Sequence, residues 1–390
     1  MQSLPYIKAV QIMVQASSPH GFLASANEIT NYKRVWARDG VICGLAALLD
    51  GDKNLIGTTK ETLLTLAEHQ HELGHIPSNV HFNEDGTTNI SFGGLAGRVD
   101  TVSWFIVGVC NYAWFMKDQD FLEQLKPNIE KGLKLLQSWE FNNNHLVYVP
   151  RSGNWADEYI TEGHTFYDQV LRLWALQCYN HLNNSKPLEE KIVAITNSLL
   201  GNYRAVGMDK PYHPRAYLQL EEHPYYMASV TPSGYQGMFD AFGNSLALLL
   251  KLGDKKQHDA LISHCEELRK ELKLQLLPAF WPPITPEDED WRLLENNCKY
   301  EFRNFPFEFH NGGTWQMVNG FYGIAAYHHN AEISEEILAN IESLNSEENY
   351  GFYENFNTET IAVNGVEKCT WSAAGQILVA QYLNGKKLLV

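Results

Sequence analysis

Twelve segments of the chain carry apolar residues at helical spacing, and the links between these segments alternate between short and long. The pattern i, i+3, i+4, i+7 predicts helices at 5–17, 39–50, 55–70, 100–117, 120–138, 165–183, 187–203, 239–251, 254–274, 313–328, 332–344 and 371–385. Tight links at 51–54, 118–119, 184–186, 252–253 and 329–331 are typical of antiparallel helical neighbours. The remaining links, 18–38, 71–99, 139–164, 204–238, 275–312 and 345–370, are long, and each follows an odd-numbered helix.

This alternation predicts a ring of six helical hairpins with one functional end. If consecutive helices are antiparallel, all long links emerge at that end, beside the N-termini of the even-numbered helices and their partial positive charge. Long links without regular structure of their own usually carry function. We therefore predict an all-α fold, an (α/α)6 toroid, in which residues 1–390 form a single domain without a separate β-sandwich.

The charge and the N-terminus narrow the range of partners. The net charge of −16 comes without a Lys/Arg stripe that could neutralise phosphates, so we expect no nucleic-acid partner. The start lacks a basic segment followed by an apolar one, and no later segment has ~18 uninterrupted apolar residues. We therefore expect a cytoplasmic protein that does not bind membranes, while the sequence leaves the oligomeric state open.

Cysteines and histidines give no metal-site pattern. The six cysteines are scattered without a CxxC pair, which favours buried free thiols. His69 and His71 are two residues apart and cannot share a helix face, and no HExxH motif occurs. We expect neither a metal nor a cofactor.

Aromatic residues are concentrated in and beside the long links. Sugars combine apolar CH faces with hydroxyl groups, so a cleft of aromatic rings, carboxylates and amides suits them. The alternative is that these rings only cap the helical core. The residues concerned are Trp36, Trp104, Trp155, Tyr159, Tyr167, Phe309, Trp315, Tyr353 and Trp371.

Two carboxylates in different long links are candidates for acid–base chemistry. Asp157 follows Trp155, and a neighbouring aromatic ring can desolvate a carboxyl and raise its pKa. Glu354 lies among aromatic and amide side chains in the last long link. Two carboxyls on opposite sides of a sugar suffice for glycoside hydrolysis: one protonates the leaving oxygen, and the other activates water or attacks the anomeric carbon. Helix capping or an exposed turn position are the alternatives for Asp157.

Three further segments could hold a sugar. Arg38 and Asp39 lie at the start of the second helix. Asp39 could form hydrogen bonds with sugar hydroxyl groups beside Arg38, or it could cap the helix. The segment 310–315, with His310 and Trp315, contains two glycines that would permit close backbone approach to a ligand. Trp371 begins the last helix and could form a wall of the site.

The order of these motifs resembles that of the (α/α)6-barrel α-glycosidases. The matching segments are Arg38-Asp39, Val99-Asp100-Thr101 with Trp104, Trp155-Ala156-Asp157, residues 310–315, Tyr353-Glu354 and Thr370-Trp371-Ser372. The chain resembles both the amylo-α-1,6-glucosidase part of glycogen debranching enzymes and the neutral/alkaline invertases, over about residues 30 to 385.

The resemblance implies an inverting hydrolase of an α-linked glucoside. In it Asp157 takes the position of the general acid and Glu354 that of the general base, with carboxyl groups roughly 6.5–9.5 Å apart. Glu158, Glu162 and Asp168 remain rivals of Asp157, and Glu359 remains a rival of Glu354. The expected substrate-binding residues are Trp36, Arg38, Asp39, Asp100, Trp104, Trp155, Tyr167, His310, Trp315 and Trp371.

Two departures from these families bear on the substrate. The predicted barrel begins almost at residue 1, so we expect no polymer-docking domain, which favours a small soluble glucoside. The turn after Asp157 lacks the two arginines of the invertases, which weakens the expectation of sucrose. A glycan-binding protein without activity and a sugar phosphorylase on the same scaffold stay open; the latter would need a basic pocket near Glu354, for which the sequence offers Lys368.

Overall fold

The computed structural model describes residues 3–27, 29, 31–204 and 210–390. Within these residues, all twelve predicted helices are present, and we number them α1 to α12 in chain order. The odd-numbered helices are α1 Leu4–Gln15, α3 Lys53–Glu68, α5 Gln119–Ser138, α7 Lys186–Asn202, α9 Lys255–Glu271 and α11 Ala331–Tyr350. The even-numbered helices are α2 Ala37–Asp50, α4 Asp100–Met116, α6 Phe166–Asn183, α8 Ala241–Leu249, α10 Gln316–Ala326 and α12 Thr370–Leu383.

The even-numbered helices form a closed inner ring. Each packs on the next in the order α2, α4, α6, α8, α10 and α12, and α12 packs again on α2. In α12 every residue from Thr370 to Tyr382 is buried, as expected of a helix that is surrounded on all sides. The outer helix α5 instead buries one stripe, including Phe121, Leu125 and Ile129. The predicted (α/α)6 toroid is therefore confirmed.

Two glycines allow α10 and α12 to approach closely. A Cβ atom on Gly320 would lie 2.6 Å from the Cα of Gly375, and one on Gly375 would lie 2.7 Å from the carbonyl oxygen of Gln316. Carbon atoms do not approach that closely without repulsion, so the backbones meet only because neither residue has a side chain. This contact brings the N-termini of two inner helices together below the long links.

Aromatic side chains from four inner helices fill the axis of the ring. Trp104 on α4 meets Trp174 on α6 edge-on with ring centroids 5.8 Å apart. Phe242 on α8 and Phe321 on α10 lie 5.0 Å apart and both pack against Trp104. All four rings are fully buried. The axis is therefore packed core rather than a channel.

The long links contain regular structure, so the expectation that they lack it is wrong. In the described parts of these links, the strands pair in four small antiparallel sheets, and two short helices, Pro214–Tyr217 and Trp291–Glu295, lie between them. Most of these strands have two residues, which is too short for an alternating sequence pattern to reveal. In chain order the strands are β1 Ser17–Ser18, β2 Gly21–Phe22, β3 Val35–Trp36, β4 Asn79–Phe82, β5 Thr88–Ser91, β6 His164–Thr165, β7 Met227–Thr231, β8 Gly234–Asp240, β9 Phe280–Trp281, β10 Asn355–Phe356 and β11 Val363–Asn364.

Two of the sheets tie consecutive long links to each other, and the other two lie within a single link. The first sheet pairs β1 with β2, the second has the order β3-β4-β5, the third β6-β7-β8-β9, and the fourth pairs β10 with β11. In the third sheet β6 ends at Thr165, directly before α6, and β8 ends at Asp240, directly before α8. Pairing of these strands fixes where the inner helices begin, and thus where their first side chains point.

The cysteines form no disulfide bond. All six cysteines are free; five are buried and Cys298 is partly buried, which confirms the prediction of free thiols. Among the helices of the described residues, none is both long and apolar enough to cross a membrane.

Candidate active site

A cavity of about 620 Å³ opens among the long links at one end of the ring. Its wall includes Trp36 from the first link, Arg98 from the second, and Asp157 with Glu158 from the third. Arg303 from the fifth link completes this group. The predicted convergence of distant links at one end is thus found where the even-numbered helices begin.

Asp157 lies on the cavity wall in an ion pair with Arg98. Arg98 donates from Nη2 to Asp157 Oδ2, and its Nη1 donates to the carbonyl oxygens of Gly97 at 2.9 Å and Ser152 at 2.6 Å. Asn154 fixes the turn before Asp157, because its side-chain oxygen accepts from the amide of Ala156 at 3.0 Å. The guanidinium of Arg98 is therefore held against the carboxylate by two carbonyl groups.

The proton affinity of Asp157 differs from expectation. Burial disfavours the ionised carboxyl, but the positive charge of Arg98, with a smaller contribution from Arg38, outweighs burial and lowers the pKa of Asp157 below its ordinary value. The expectation of a raised pKa is wrong because the sequence neighbour Trp155 does not dominate; Arg98, 59 residues away in the chain, does.

Of the rivals of Asp157, only Glu158 lines the cavity. Arg303 lies 3.1 Å from its carboxylate, yet burial and the charge of Asp157 raise the pKa of Glu158 above its ordinary value. Glu162 pairs with Arg151 at 2.5 Å.

The other rivals are engaged elsewhere. The buried Asp168 accepts from the hydroxyl of Thr165 at 2.6 Å. Glu359, the rival of Glu354, is exposed and pairs with Lys273 at 3.2 Å.

Glu354 occupies a buried position between α10 and α12. Its own amide bonds to the carbonyl of Val366 at 2.9 Å, and the carbonyl of Tyr353 accepts from Gln316 at 3.1 Å and Ser372 at 2.9 Å. The carboxyl oxygens accept from the hydroxyl of Tyr32 at 3.0 and 3.1 Å. The backbone of Tyr353 and Glu354 is thus held in place.

Burial raises the pKa of Glu354 to about 7. The charge of Arg303 and the hydrogen bond from Tyr32 act in the opposite direction, and the negative charge of Asp39 adds to the rise. In this structure Glu354 therefore binds its proton more tightly than Asp157 does, which is the reverse of the usual order for Asp157 as acid and Glu354 as base.

A chain of buried polar groups begins at Arg38. Its Nη1 donates to Asp100 Oδ2 at 3.0 Å, and the same oxygen accepts from the hydroxyl of Tyr167 at 3.1 Å. Tyr167 in turn accepts from Trp104 Nε1 at 2.8 Å. Trp104, expected to bind substrate, is therefore a core residue that orients Tyr167.

Asp39 does not cap α2. It is the third residue of that helix, and the capping position belongs to Trp36, which makes no side-chain capping bond. Burial raises the pKa of Asp39 to about 6, although the charge of Arg38 opposes the rise. The capping alternative is wrong, and Asp39 remains available to the site.

Four rings form a continuous aromatic layer beside these groups. His310 and Trp315 are stacked with centroids 5.1 Å apart, Trp155 meets Trp315 edge-on at 5.9 Å, and Trp315 meets Trp371 at 5.6 Å. The guanidinium of Arg38 lies 5.5 Å from the ring of Trp371. Burial lowers the pKa of His310 to about 3, so this imidazole is neutral.

The two glycines after His310 serve the protein chain rather than a ligand. A Cβ atom on Gly313 would lie 2.5 Å from the carbonyl oxygen of Phe309, and Gly312 has a φ of 92°. The chain itself therefore requires glycine at these positions, because the neighbouring backbone occupies the space of a side chain at Gly313 and Gly312 has a positive φ.

Several polar atoms in this buried layer have no protein partner within the described part of the chain. They are Trp371 Nε1, His310 Nδ1, Gln316 Oε1, Asp100 Oδ1 and Arg38 Nε. Buried polar groups in proteins are nearly always hydrogen-bonded. A set that mixes donors with acceptors beside stacked rings suits sugar hydroxyls, which can both donate and accept.

The predicted residues thus fall into two groups. Trp36 and Asp157 line the cavity. Most of the other predicted side chains are buried, Arg38 is partly buried, and the charge of Arg38 acts on Asp157. Among the described residues, no group of three His, Cys, Asp or Glu side chains could hold a metal ion.

Sequence reasoning missed the residues that set the charge of the carboxyls. Tyr32, Arg98 and Arg303 contact Glu354, Asp157 and Glu158 from other links. Arg98 lies two residues before Asp100, and Tyr32 lies four before Trp36, so proximity to the motifs was the available signal. Lys368, considered as a basic group near Glu354, bonds to the carbonyl of Tyr350 at 2.5 Å instead.

Comparison with known proteins gives a consistent picture. A family model described as alkaline and neutral invertase matches residues 210–386. Cytosolic invertase 1 of Oryza sativa is 23% identical over 363 residues, which cover 75% of this chain and 61% of that protein. The mitochondrial alkaline/neutral invertase C of Arabidopsis thaliana is 22% identical, with 92% of this chain and 61% of that protein covered. The chain thus spans about three fifths of the length of these relatives.

Solved structures share the fold. The GH63 mannosylglycerate hydrolase from Thermus thermophilus superposes with a TM-score of 0.69 at 13% identity, covering 96% of this chain and 99% of that one. A bacterial glucoamylase in complex with acarbose gives a TM-score of 0.68 at 13% identity, covering 99% of this chain and 56% of that one. These likenesses establish the same arrangement of helices.

Proposed function

We propose that the chain is a glycoside hydrolase that cleaves an α-linked glucoside with inversion, which its similarity to the alkaline and neutral invertases and its (α/α)6 fold support. The observation that carries this proposal is the buried layer of unpartnered donors and acceptors beside two carboxyl groups. A cavity of about 620 Å³ is of the size that small ligands occupy. We accordingly favour a small soluble glucoside over a polymer.

In this proposal Asp157 is the general acid. A general acid protonates the leaving oxygen, so it must face the space in which the leaving group sits. Asp157 lines the open cavity, whereas Glu354 does not. The leaving group would therefore occupy the cavity, and the glucosyl unit would lie deeper, against Arg38, Asp39, Trp315 and Trp371.

Glu354 is the general base. A base that activates water on the opposite face of the sugar belongs at the closed end of the site, and Glu354 is only 6% exposed. With its pKa raised to about 7, it is half ionised at neutral pH and accepts a proton from water more readily than an ordinary carboxylate would.

The ion pair between Arg98 and Asp157 describes a resting state. An acid has to carry a proton, and Arg98 favours the ionised form of Asp157. The leaving oxygen and the guanidinium of Arg98 compete for the same carboxyl group. Catalysis therefore requires that substrate binding separate Arg98 from Asp157, which allows the carboxyl to take up its proton.

Sucrose is the second candidate substrate. It is favoured by the match to the alkaline and neutral invertase family and by relatives that carry that name. Two arginines, Arg98 and Arg303, flank Asp157 and Glu158 although the turn after Asp157 contains none. An invertase-like reaction would use the same acid and base.

The test is glucose release from sucrose, maltose, isomaltose, trehalose, glucosylglycerate and limit dextrin by wild type, Asp157→Asn and Glu354→Gln. We expect turnover of at least one small glucoside by wild type and its loss in both variants. Proton NMR of the fresh product should show β-glucose, the inverted anomer. Release of glucose 1-phosphate that depends on inorganic phosphate would refute hydrolysis, and sugar binding without any turnover would support a binding protein.

A further inference from the structure

The cavity that Asp157 lines is basic, although the chain as a whole is acidic. Among the described residues of its wall, five side chains are cationic, those of Arg34, Arg98, Arg151, Lys299 and Arg303, against two carboxylates, Asp157 and Glu158. The net charge of the chain is −16. A local excess of cations in such a chain concentrates anions in the cavity.

Three of the cations already have a carboxylate partner. Arg98 pairs with Asp157, Arg303 with Glu158 and Arg151 with Glu162. Each of these contacts neutralises the cation in the resting state.

Arg34 and Lys299 have no carboxylate partner among the residues that the structure describes. Arg34 donates to the side-chain oxygen of Asn79 at 3.2 Å, and its buried Nε atom has no partner. Lys299 lies with Nζ 5.0 Å from the ring centroid of Tyr300. Two positive charges thus remain for a ligand, and a guanidinium suits a carboxylate or a phosphate equally.

We propose that the cavity is a leaving-group subsite for an anion, a carboxylate or a phosphate, and that this anion draws Arg98 away from Asp157. The inference rests on the proposed function, because it takes Asp157 as the acid that faces the leaving group. It gives the substrate class: a glucoside whose leaving group carries a negative charge near the glycosidic oxygen.

The second half of the proposal follows from the geometry of Arg98. Its Nη1 atom bonds to the carbonyl groups of Gly97 and Ser152, and Nη2 bonds to Asp157. Because the guanidinium is a rigid plane, these contacts are exchanged together when Arg98 turns to an anion in the cavity. When Nη2 turns to an anion in the cavity, Asp157 loses its nearest positive charge and takes a proton from water. A neutral leaving group gives Arg98 no anion to bind, so Arg98 stays paired with Asp157 and Asp157 stays ionised.

The experiment compares matched substrates. Glucosylglycerate and glucosylglycerol differ only in a carboxylate against a hydroxymethyl group; sucrose phosphorylated on its fructosyl unit and sucrose differ only in the phosphate. We expect kcat/KM to be about tenfold or more higher for the anionic member of at least one pair. The pair with the larger ratio identifies carboxylate or phosphate as the natural group.

Two variants assign the preference to the cavity. Arg34→Gln and Lys299→Gln should each reduce the ratio several-fold by raising KM for the anionic member, with little change for the neutral one. Lys53→Gln removes the same charge from an exposed position at the start of α3, at the opposite end of the ring, and should leave the ratio unchanged.

α-Glucosyl fluoride tests the hydrolase activity independently of the anion subsite, because its hydrolysis involves no organic leaving group. If the fluoride is hydrolysed but the neutral member of each pair is the equal or better substrate, the anion subsite is refuted and the hydrolase stands. If the fluoride is not hydrolysed, the hydrolase is refuted. In that case glycerate or inorganic phosphate binding by calorimetry, weakened in Arg34→Gln, would still support the anion site, and absence of binding would overturn it.

Discussion

The hydroxyl of Tyr32 lies 3.0 and 3.1 Å from the two carboxyl oxygens of Glu354. A single donor shared by both oxygens stabilises the ionised carboxylate and limits the rise in pKa that burial causes. Tyr32 belongs to the first long link and Glu354 to the last, 322 residues apart. Closure of the ring is therefore what brings the proposed base its hydrogen-bond donor.

This contact predicts the pH dependence of the reaction. A base acts in its ionised form, so kcat/KM of wild type should fall as the pH drops through about 7, the pKa of Glu354. Tyr32→Phe removes a donor that favours ionisation and should move this acid limb to higher pH. Tyr327→Phe, placed where α10 ends at the opposite end of the ring, should not. An unchanged limb in Tyr32→Phe would show that Tyr32 does not tune the base.

The roles of the two carboxyls are distinguished by the need of the leaving group for a proton. Fluoride leaves without protonation, so Asp157→Asn should hydrolyse α-glucosyl fluoride nearly as well as wild type while losing about 10²–10⁴-fold on a sugar leaving group. Glu354→Gln should lose activity on both substrates.

The matched control is Glu158→Gln, which removes the rival carboxyl of the cavity and should resemble wild type on fluoride and sugar alike. The opposite pattern, with Glu354→Gln rescued by fluoride, would exchange the two roles.

Glu354 also affects stability in a pH-dependent way. Its folded-state pKa, raised from 4.5 to about 7, lies above that of the unfolded chain, so the folded state binds more protons between these values and loses stability as the pH rises through this window. Ionisation of this buried group costs up to about 3 kcal/mol. Denaturant unfolding at pH 5 and pH 8 should show a larger loss for wild type than for Glu354→Gln. Equal losses in both proteins would contradict a raised pKa.

Two glycine substitutions test the packing of the ring. Gly375→Ala places a Cβ atom 2.7 Å from the carbonyl oxygen of Gln316, and we expect a loss of about 1–3 kcal/mol in the free energy of unfolding. Gly57→Ala lies in α3 with no atom within 4 Å of the added carbon and should gain about 0.5–1 kcal/mol from helix propensity. Chemical denaturation of both variants measures the difference. A Gly375→Ala protein as stable as wild type would mean that α10 and α12 can separate without cost.

The helices were predictable because their signals are local and long. In α5 the buried stripe of Phe121, Leu125 and Ile129 follows the helical period directly. The strands β3 and β6 escaped detection, because two residues define no period and their pairing partners lie in other links.

In the site, too, features with a local sequence signal were predictable and contacts between distant residues were not. Asp157 and Glu354 could be selected from their place in long links beside aromatic residues. The partners that determine their proton affinity could not, since Arg98 is 59 residues from Asp157 and Tyr32 is 322 residues from Glu354. Trp104 illustrates the same limit: its position at the start of an inner helix resembles that of Tyr167, and only the packing of the ring places its side chain along the buried axis.

The packed axis also imposes an order on events at the site. Trp104, Trp174, Phe242 and Phe321 close the interior below the buried polar layer, so a ligand bound there has one way in and the same way out. In the proposed reaction the two products would leave in a fixed order. Glucose lies deeper and cannot leave until the leaving group has left the cavity. The free leaving group should therefore act as a product inhibitor, because it blocks the release of glucose. Product release through the cavity should limit the turnover rate as much as bond cleavage does.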